Sequence, residues 1–296
     1  MDITFVSVVT NFNQYHKLFT NNPHVQKYTL RTYDNRKENL PIPARYNHFI
    51  DNELSTDGWV IFCHQDFEFL QDPAPVLEKL DKKFIYGPVG VALQKQKNLH
   101  LIFYKHRLKP SLHVKAHFNG VWKGWIHQGD KDECAGEIIH APEIVDTVDC
   151  CCIFMHSSLI RQHALRFDPQ FNFHCYCEDF CLAARQKEVF TKAVQLSARH
   201  YSSGDMNKLF WQKYDALLNK YPAELFSTTC VSSPQAIFGR LLGKRYEQMK
   251  TIFEGKNLSD TDNIARIKNF FYSNTITSHG YRLIKICKIP VWHKKI

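Results

Sequence analysis

Three polar clusters follow apolar runs early in the chain: Thr10-Asn11, Asp34-Asn35 and His64-Gln65-Asp66. The third is the most pointed, because Trp59-Val60-Ile61-Phe62-Cys63 is unbroken apolar sequence that stops abruptly at His64. Asp66 and Glu68 lie one residue apart just beyond it. Two hard oxygen ligands at such a place could hold a divalent cation against a phosphate; the plainer alternative is a strand that runs out into a solvated loop. A second acidic pair, Glu178-Asp179, opens a helical pattern carried by Phe180, Leu182, Ala183 and Ala184. Carboxylates at a helix N-terminus are favoured by the macrodipole, which also holds them ionised.

The elements that must position these groups are readable from the apolar pattern. A continuous apolar run of strand length reads as a strand buried on both faces. Trp59 to Cys63 is such a strand; Ile3 to Thr10 is a β-rich, apolar first strand and Tyr28 to Tyr33 a second short one, with helical spacing over Gln14–Thr20 and Ala44–Glu53 between them. Strand–helix–strand–helix–strand is the pattern of a parallel α/β half-sheet. Its three polar strand ends share one edge, where open α/β sheets bind ligands. Neither Gly-x-Gly-x-x-Gly nor Gly-Lys-Ser/Thr occurs, which excludes the usual dinucleotide enzymes and phosphate-loop NTPases. A diphosphate bound here would need neutralising by a metal or by basic side chains.

Further on, Val145 to Phe154 is a β-rich run entered by Asp146 and Asp149. Asp149 would either position a ligand or cap a strand. Phe190 to Leu196 is a last strand, and His200 follows it. Trp122 and Trp125 stand in a Gly-punctuated stretch that reads as hairpin packing or an acceptor loop. Cys175, Cys177 and Cys181 beside His174 lack the paired spacing of a structural zinc site and read as packing, as does Cys150-Cys151-Cys152. Asn207 to Tyr221 and Ile237 to Phe253 carry helical spacing.

The 296 residues are 44% hydrophobic, enough for one large domain or a domain with an appendage. No window reaches the 18 apolar residues of a membrane span, and MDITFVSVVT reads as a first strand and not as an export signal. With no export signal, the ten cysteines are expected reduced, in a cytoplasm. The net charge is +9, and from Arg240 onward 12 Lys+Arg stand against 4 Asp+Glu, so +8 of it belongs to the end of the chain. An anionic membrane surface, nucleic acid, or a merely solvated face are the partners such a segment suits.

The order of these motifs resembles the GT-A-fold glycosyltransferases, specifically the bacterial family-2-like group of surface-polysaccharide type. The matching pieces are VSVVTNFN, YDNRKENLPIPARYNHFI, FCHQDFEFL, VDTVDCCCIF, LRFDPQFNFHCYCEDFCLAARQ and ARHYSSGD, across about residues 3 to 206. The resemblance implies an α/β fold: a Rossmann-like, mixed and mostly parallel sheet flanked by helices, with a helical basic C-terminal segment. Residues 1–205 would be the catalytic domain and 206–296 the extension. It implies transfer of a sugar from a nucleotide-diphosphate sugar, UDP-sugar favoured, to a glycan or lipid-linked acceptor such as lipopolysaccharide or capsule, with inversion.

Residue by residue, the resemblance implies that Thr10 and Asn11 line the base pocket and that Asp34 contacts base or ribose. Arg45 and Asn47 would lie near ribose and diphosphate, with Gln65 and Asp149 completing the nucleotide-sugar set. Asp66 falls where the family's Asp-x-Asp motif ends and would ligate Mn²⁺ or Mg²⁺, with Glu68 or His200 as further ligands. The first Asp of that motif is His64 here, a departure that bears on the metal. Asp179 resembles the family's catalytic base, and Glu178 beside it could serve instead. The expected location is cytoplasmic, peripheral on the inner face of the plasma membrane. The alternatives are a sugar-nucleotidyltransferase and a non-catalytic protein that binds membrane or nucleic acid.

Overall fold

The computed structural model describes residues 1–93, 101–102, 115–116, 120–130, 133–202, 208–221, 226–230, 272–276, 281–286 and 289–295. Strand β1 (Ile3–Val9) leads into a short helix α1 (Phe12–Tyr15), which continues as a π-helical turn over His16–Thr20. Then come β2 (Thr29–Asp34), α2 (Ile42–Asn52) and β3 (Trp59–Cys63). Both β2 and β3 pair in parallel with β1. Thr10, Asn35 and His64 therefore emerge at one edge, as the apolar pattern implied.

The chain continues through β4 (Phe67–Phe69), α3 (Ala74–Leu77), β5 (Ile85–Gly87), β6 (Val89–Leu93), β7 (Leu101–Ile102) and β8 (Lys115–Ala116). Next are β9 (Gly120–Gln128), β10 (Glu133–Glu137), β11 (Glu143–Val145), β12 (Thr147–Val148) and β13 (Cys152–His156). Helices α4 (Ser157–Gln162) and α5 (Tyr176–Arg185), strands β14 (Thr191–Ala193) and β15 (Ala198–His200), and helix α6 (Lys208–Lys220) follow. The first sheet runs β11-β14-β5-β13-β3-β1-β2 and the second β12-β6-β9-β15-β4, with β10 on β9. The first is mixed: β13 runs antiparallel to both β3 and β5, while β14 is parallel to β5. The fold class is mixed α/β, with a Rossmann-like parallel half over residues 3–63.

Why β3 is continuously apolar is visible in its two faces. Val60 and Phe62 belong to one buried cluster, together with Tyr46, Phe49 and Ile50 of α2. Trp59, Ile61 and Cys63 belong to another, with Phe67 and Phe69 of β4. Side chains alternate along a strand, so a strand covered on both faces has no polar position to spare. The covering helix shows the matching i, i+3, i+4 pattern: Tyr46, Phe49 and Ile50 are buried, and the Tyr46 and Phe49 rings lie 4.7 Å and 6.0 Å from that of Phe62.

Two expectations need correction. The helical character expected of 206–296 holds for α6 but not for the end of the chain. There Tyr272–Ile276 (β16), Tyr281–Ile286 (β17) and Ile289–Lys295 (β18) form an antiparallel three-stranded sheet. Its sequence is rich in Ile, Thr, Tyr and Val, types that favour strands, and the interleaved lysines mislead because they fit either period. The run Phe190–Leu196 is also not one strand: β14 ends at Ala193, and His200 closes the separate strand β15. The helix expected over Ile237–Phe253 lies outside the described residues. The chain divides into two compact units, residues 1–243 and 244–296. The first, which contains α6, runs past the 205 boundary expected from the sequence. Among the described residues, no helix is long and apolar enough to cross a membrane.

The second sheet depends on glycines where backbones meet. Gly124 in β9 has φ +79°, and a Cβ there would stand 2.0 Å from the Pro88 carbonyl oxygen. Gly129 also has positive φ, +69°, but a Cβ there would meet nothing within 4 Å. Left-handed backbone costs an L-residue about 1–2 kcal/mol, and overpacking adds about 1–3 kcal/mol. Gly124→Ala is therefore expected to lower unfolding free energy by about 3 kcal/mol or more, and Gly129→Ala by only about 1–2 kcal/mol, in urea titration. Equal losses would contradict the close approach at Gly124.

Candidate active site and metal centre

The site begins where β3 hands the chain from one sheet to the other. The tripeptide His64-Gln65-Asp66 makes the turn into β4, with the Phe67 N–H donating to the His64 carbonyl at 3.3 Å. Its outer anchors are specific. The Gln65 Oε1 accepts from the backbone N–H groups of Thr10 at 2.7 Å and Asn11 at 2.8 Å, so the ends of β1 and β3 are tied directly. The His64 N–H donates to the Cys151 carbonyl at 2.9 Å, and the Asp66 carbonyl accepts from the Tyr201 N–H at 3.0 Å. His200 is held through β15, opposite Phe67 of β4 and alongside Gln128 of β9. Asp149 lies in the turn between β12 and β13, its Oδ1 accepting from the Cys151 N–H at 2.9 Å and its Oδ2 from the Thr229 hydroxyl at 2.8 Å.

These anchors bring His64, Asp66 and His200 together, with their ligand atoms within 4.8 Å of one another. Asp149, Cys151 and His200 make an overlapping second group within the same limit. Ligands that share one cation at about 2.0–2.2 Å stand about 3–4.5 Å apart. His64 Nδ1 is 3.9 Å and His200 Nε2 is 3.5 Å from Asp66 Oδ1, inside that range. The buried His200 Nε2 has no hydrogen-bond partner; at 3.5 Å from Asp66 it feels the carboxylate's charge without hydrogen-bond geometry. An orphaned imidazole nitrogen beside a carboxylate fits a cation. The donor set is two imidazoles and a carboxylate.

The charges act differently on the three side chains. Burial disfavours the ionised form of Asp66, but His200 and His64 outweigh it and hold the carboxyl below its ordinary range. Burial likewise works against a charged His200, yet Asp66 and Asp149 prevail and raise it. His64 goes the other way: burial dominates and favours the neutral ring, the form that ligates metals.

Helix α5 brings the acidic pair, and its two members part company. Both are 1% exposed. Asp179 Oδ1 accepts from Lys220 at 2.7 Å and from the Tyr221 hydroxyl at 2.9 Å. Lys220 also reaches Asp168 at 2.7 Å. Asp179 is thereby tied to the end of α6. Glu178 has an Oε2 with no hydrogen-bond partner. Burial pushes its carboxyl up to about 7, helped by the charge of Asp149. Consecutive helical residues point about 100° apart, so one of the pair turns to α6 while the other feels the Asp149 side.

The remaining expected residues are scattered in role. Thr10 and Asn11 are exposed at the strand edge beside Gln65. Asp34 is exposed there too, paired with Arg36 at 2.6 Å, which holds its carboxyl near 2. Arg45 reaches Glu38 at 2.6 Å. Asn47 is committed elsewhere, bridging the carbonyl and N–H of Phe167 at 2.8 Å and 3.0 Å. Glu68 accepts from the Tyr201 hydroxyl at 2.7 Å and is not in either ligand group; its neighbours Phe67 and Phe69 are buried, so alternation along β4 turns it to the other face. Cys175, Cys177 and Cys181 are buried thiols pushed up by burial, consistent with packing. Sequence reasoning missed Tyr176, Cys151 and Thr229. Tyr176 could have been singled out as the aromatic two residues before Glu178.

No protein-family model matches the chain, and no curated protein does. Among solved structures, the chain is similar to one described as "Crystal structure of GalNAc-T7 with UDP, GalNAc and Mn2+", at 10% sequence identity and a TM-score of 0.46. The match covers 96% of this chain and 62% of that one, so the chain spans about 62% of that neighbour's length.

Proposed function

We propose that the chain is a nucleotide-sugar-dependent glycosyltransferase of GT-A type, with a divalent cation held by His64, Asp66 and His200. The observation that carries this is the convergence of those three residues at the edge where β1, β2 and β3 end. Ligands of open α/β sheets bind at that edge. Two imidazoles with a carboxylate suit a transition-metal cation, Mn²⁺ among them, better than Mg²⁺, which binds through oxygen and water. When bound, the cation would offset the charge that develops on a leaving diphosphate. Thr10, Asn11 and Asp34 would take the nucleoside, at the exposed strand ends.

Glu178 is the better candidate for the base. Its carboxyl has an unpartnered oxygen, whereas the Asp179 carboxyl is bonded to Lys220 and Tyr221. In a single displacement the acceptor oxygen attacks the anomeric carbon, and Glu178 takes the hydroxyl proton. The bond from that carbon to the diphosphate oxygen breaks, and the electron pair leaves with the diphosphate. Attack opposite the leaving group inverts the centre. The acceptor we favour is a bacterial surface glycan or its lipid-linked precursor. The +8 charge from Arg240 onward suits the anionic inner face of a plasma membrane.

Asp66→Ala is expected to weaken binding of a nucleoside diphosphate at least tenfold in calorimetry with Mn²⁺ present, and to change it little with Mn²⁺ absent. A loss independent of metal would contradict the ligand role. General base catalysis contributes about 10²–10⁴-fold, so Glu178→Gln is expected to reduce kcat by that range.

With the Glu178 carboxyl raised to about 7, wild-type kcat/KM is expected to climb tenfold per pH unit below about 7 and level above it. A flat profile would remove Glu178 from the base role. The same proton marks stability. The native state holds it more tightly than the unfolded chain, so this group's contribution to stability is greatest below the ordinary glutamate range and falls by a few kcal/mol as pH rises to about 7. Glu178→Gln is expected to abolish that decline in chemical denaturation, and its persistence would place the shift elsewhere.

A further inference from the structure

We propose that Tyr176 is a positioning residue that fixes the tautomer of His64, leaving Nδ1 as the lone-pair nitrogen turned toward Asp66 and His200. Its consequence for metal affinity rests on the cation site proposed above, whereas the tautomer stands on hydrogen bonds alone. Tyr176 is buried in the first turn of α5. Its Oη is 2.6 Å from His64 Nε2 and 3.2 Å from the carbonyl oxygen of Cys150.

A phenol has one proton, and a carbonyl can only accept. Tyr176 donates to Cys150. With that proton on the carbonyl, a ring N–H at Nε2 fills the contact with His64, because two lone pairs do not approach to 2.6 Å. That leaves Nδ1 bare. Nδ1 is 3.9 Å from Asp66 Oδ1, too long for a hydrogen bond and right for two ligands of one ion. The opposite tautomer would strip the Cys150 carbonyl of this donor and aim an N–H at the place where a cation would sit.

The hydroxyl therefore does for His64 what a carboxylate or carbonyl partner does for other metal-ligating histidines. It also joins the two halves of the site. Tyr176 and Glu178 share the first turn of α5, so the helix that carries the candidate base also orients a candidate ligand.

The test uses the full-length, ¹⁵N-labelled, metal-free protein. Long-range ¹H–¹⁵N spectra of the imidazoles are recorded at a pH where the rings are neutral, with His64→Gln to assign the signals. The Nε2–H pattern is expected for His64, and an Nδ1–H pattern would overturn the proposal. Tyr176→Phe keeps the ring among Tyr46 and Phe167 and removes only the hydroxyl. It is expected to lose the tautomer bias and to bind Mn²⁺ about 10–100-fold more weakly by calorimetry. Unchanged Mn²⁺ affinity in a folded Tyr176→Phe protein would overturn the positioning role. A wild-type protein that shows the Nε2–H pattern but takes up no Mn²⁺ would support the tautomer and refute the cation site.

Discussion

One glutamine oxygen holds the site's framework. Gln65 Oε1 accepts from both Thr10 and Asn11 backbone N–H groups, at the point where β1 has ended and its next donors have no strand partner. Through that contact the turn after β3 is fixed to the end of β1, and β3 passes into the second sheet through His64 and Asp66. The second sheet then returns His200 alongside β4. Charges of opposite sign can be brought this close in a buried place because backbone hydrogen bonds, and not the charges themselves, set the distances. A buried ion pair would be weak support by itself; here the pairing of β15 with β4 and β9 has already determined where the groups stand.

The acidic pair of α5 shows how one helix can divide structural and chemical work. Asp179 spends its charge on Lys220, and through it α6 is fastened to α5. Glu178 lacks such a partner and keeps a proton that burial makes hard to lose. A group poised near neutral pH by its surroundings is what proton transfer requires. Tyr176 and Glu178 occupy the same turn, so a shift of α5 would disturb both at once.

Much of this was legible in the chain. The parallel half-sheet could be read because strands covered on both faces have to be apolar throughout, and Trp59 to Cys63 obeys that rule. The polar strand ends Thr10-Asn11 and His64-Gln65-Asp66 were legible for the same reason in reverse. The division between Glu178 and Asp179 was not, because it depends on Lys220, about forty residues later on a different helix. Glu68 looked like a ligand by its spacing from Asp66, but alternation along β4 and the Tyr201 hydroxyl take it elsewhere. Asn47 could not be placed from its neighbours, since its partner is the backbone of Phe167. The C-terminal strands are not legible in the chain because short stretches mixing lysine with large apolar residues satisfy both periods.

The central claim is that His64, Asp66 and His200 hold one cation against a nucleoside diphosphate. Anomalous diffraction at the manganese edge, from crystals grown with Mn²⁺ and UDP, tests it most directly. The expected result is a single strong peak about 2.0–2.3 Å from His64 Nδ1, an Asp66 oxygen and His200 Nε2, with diphosphate oxygens completing the shell. Bound UDP with no peak at these residues, or a peak held by others, would contradict it.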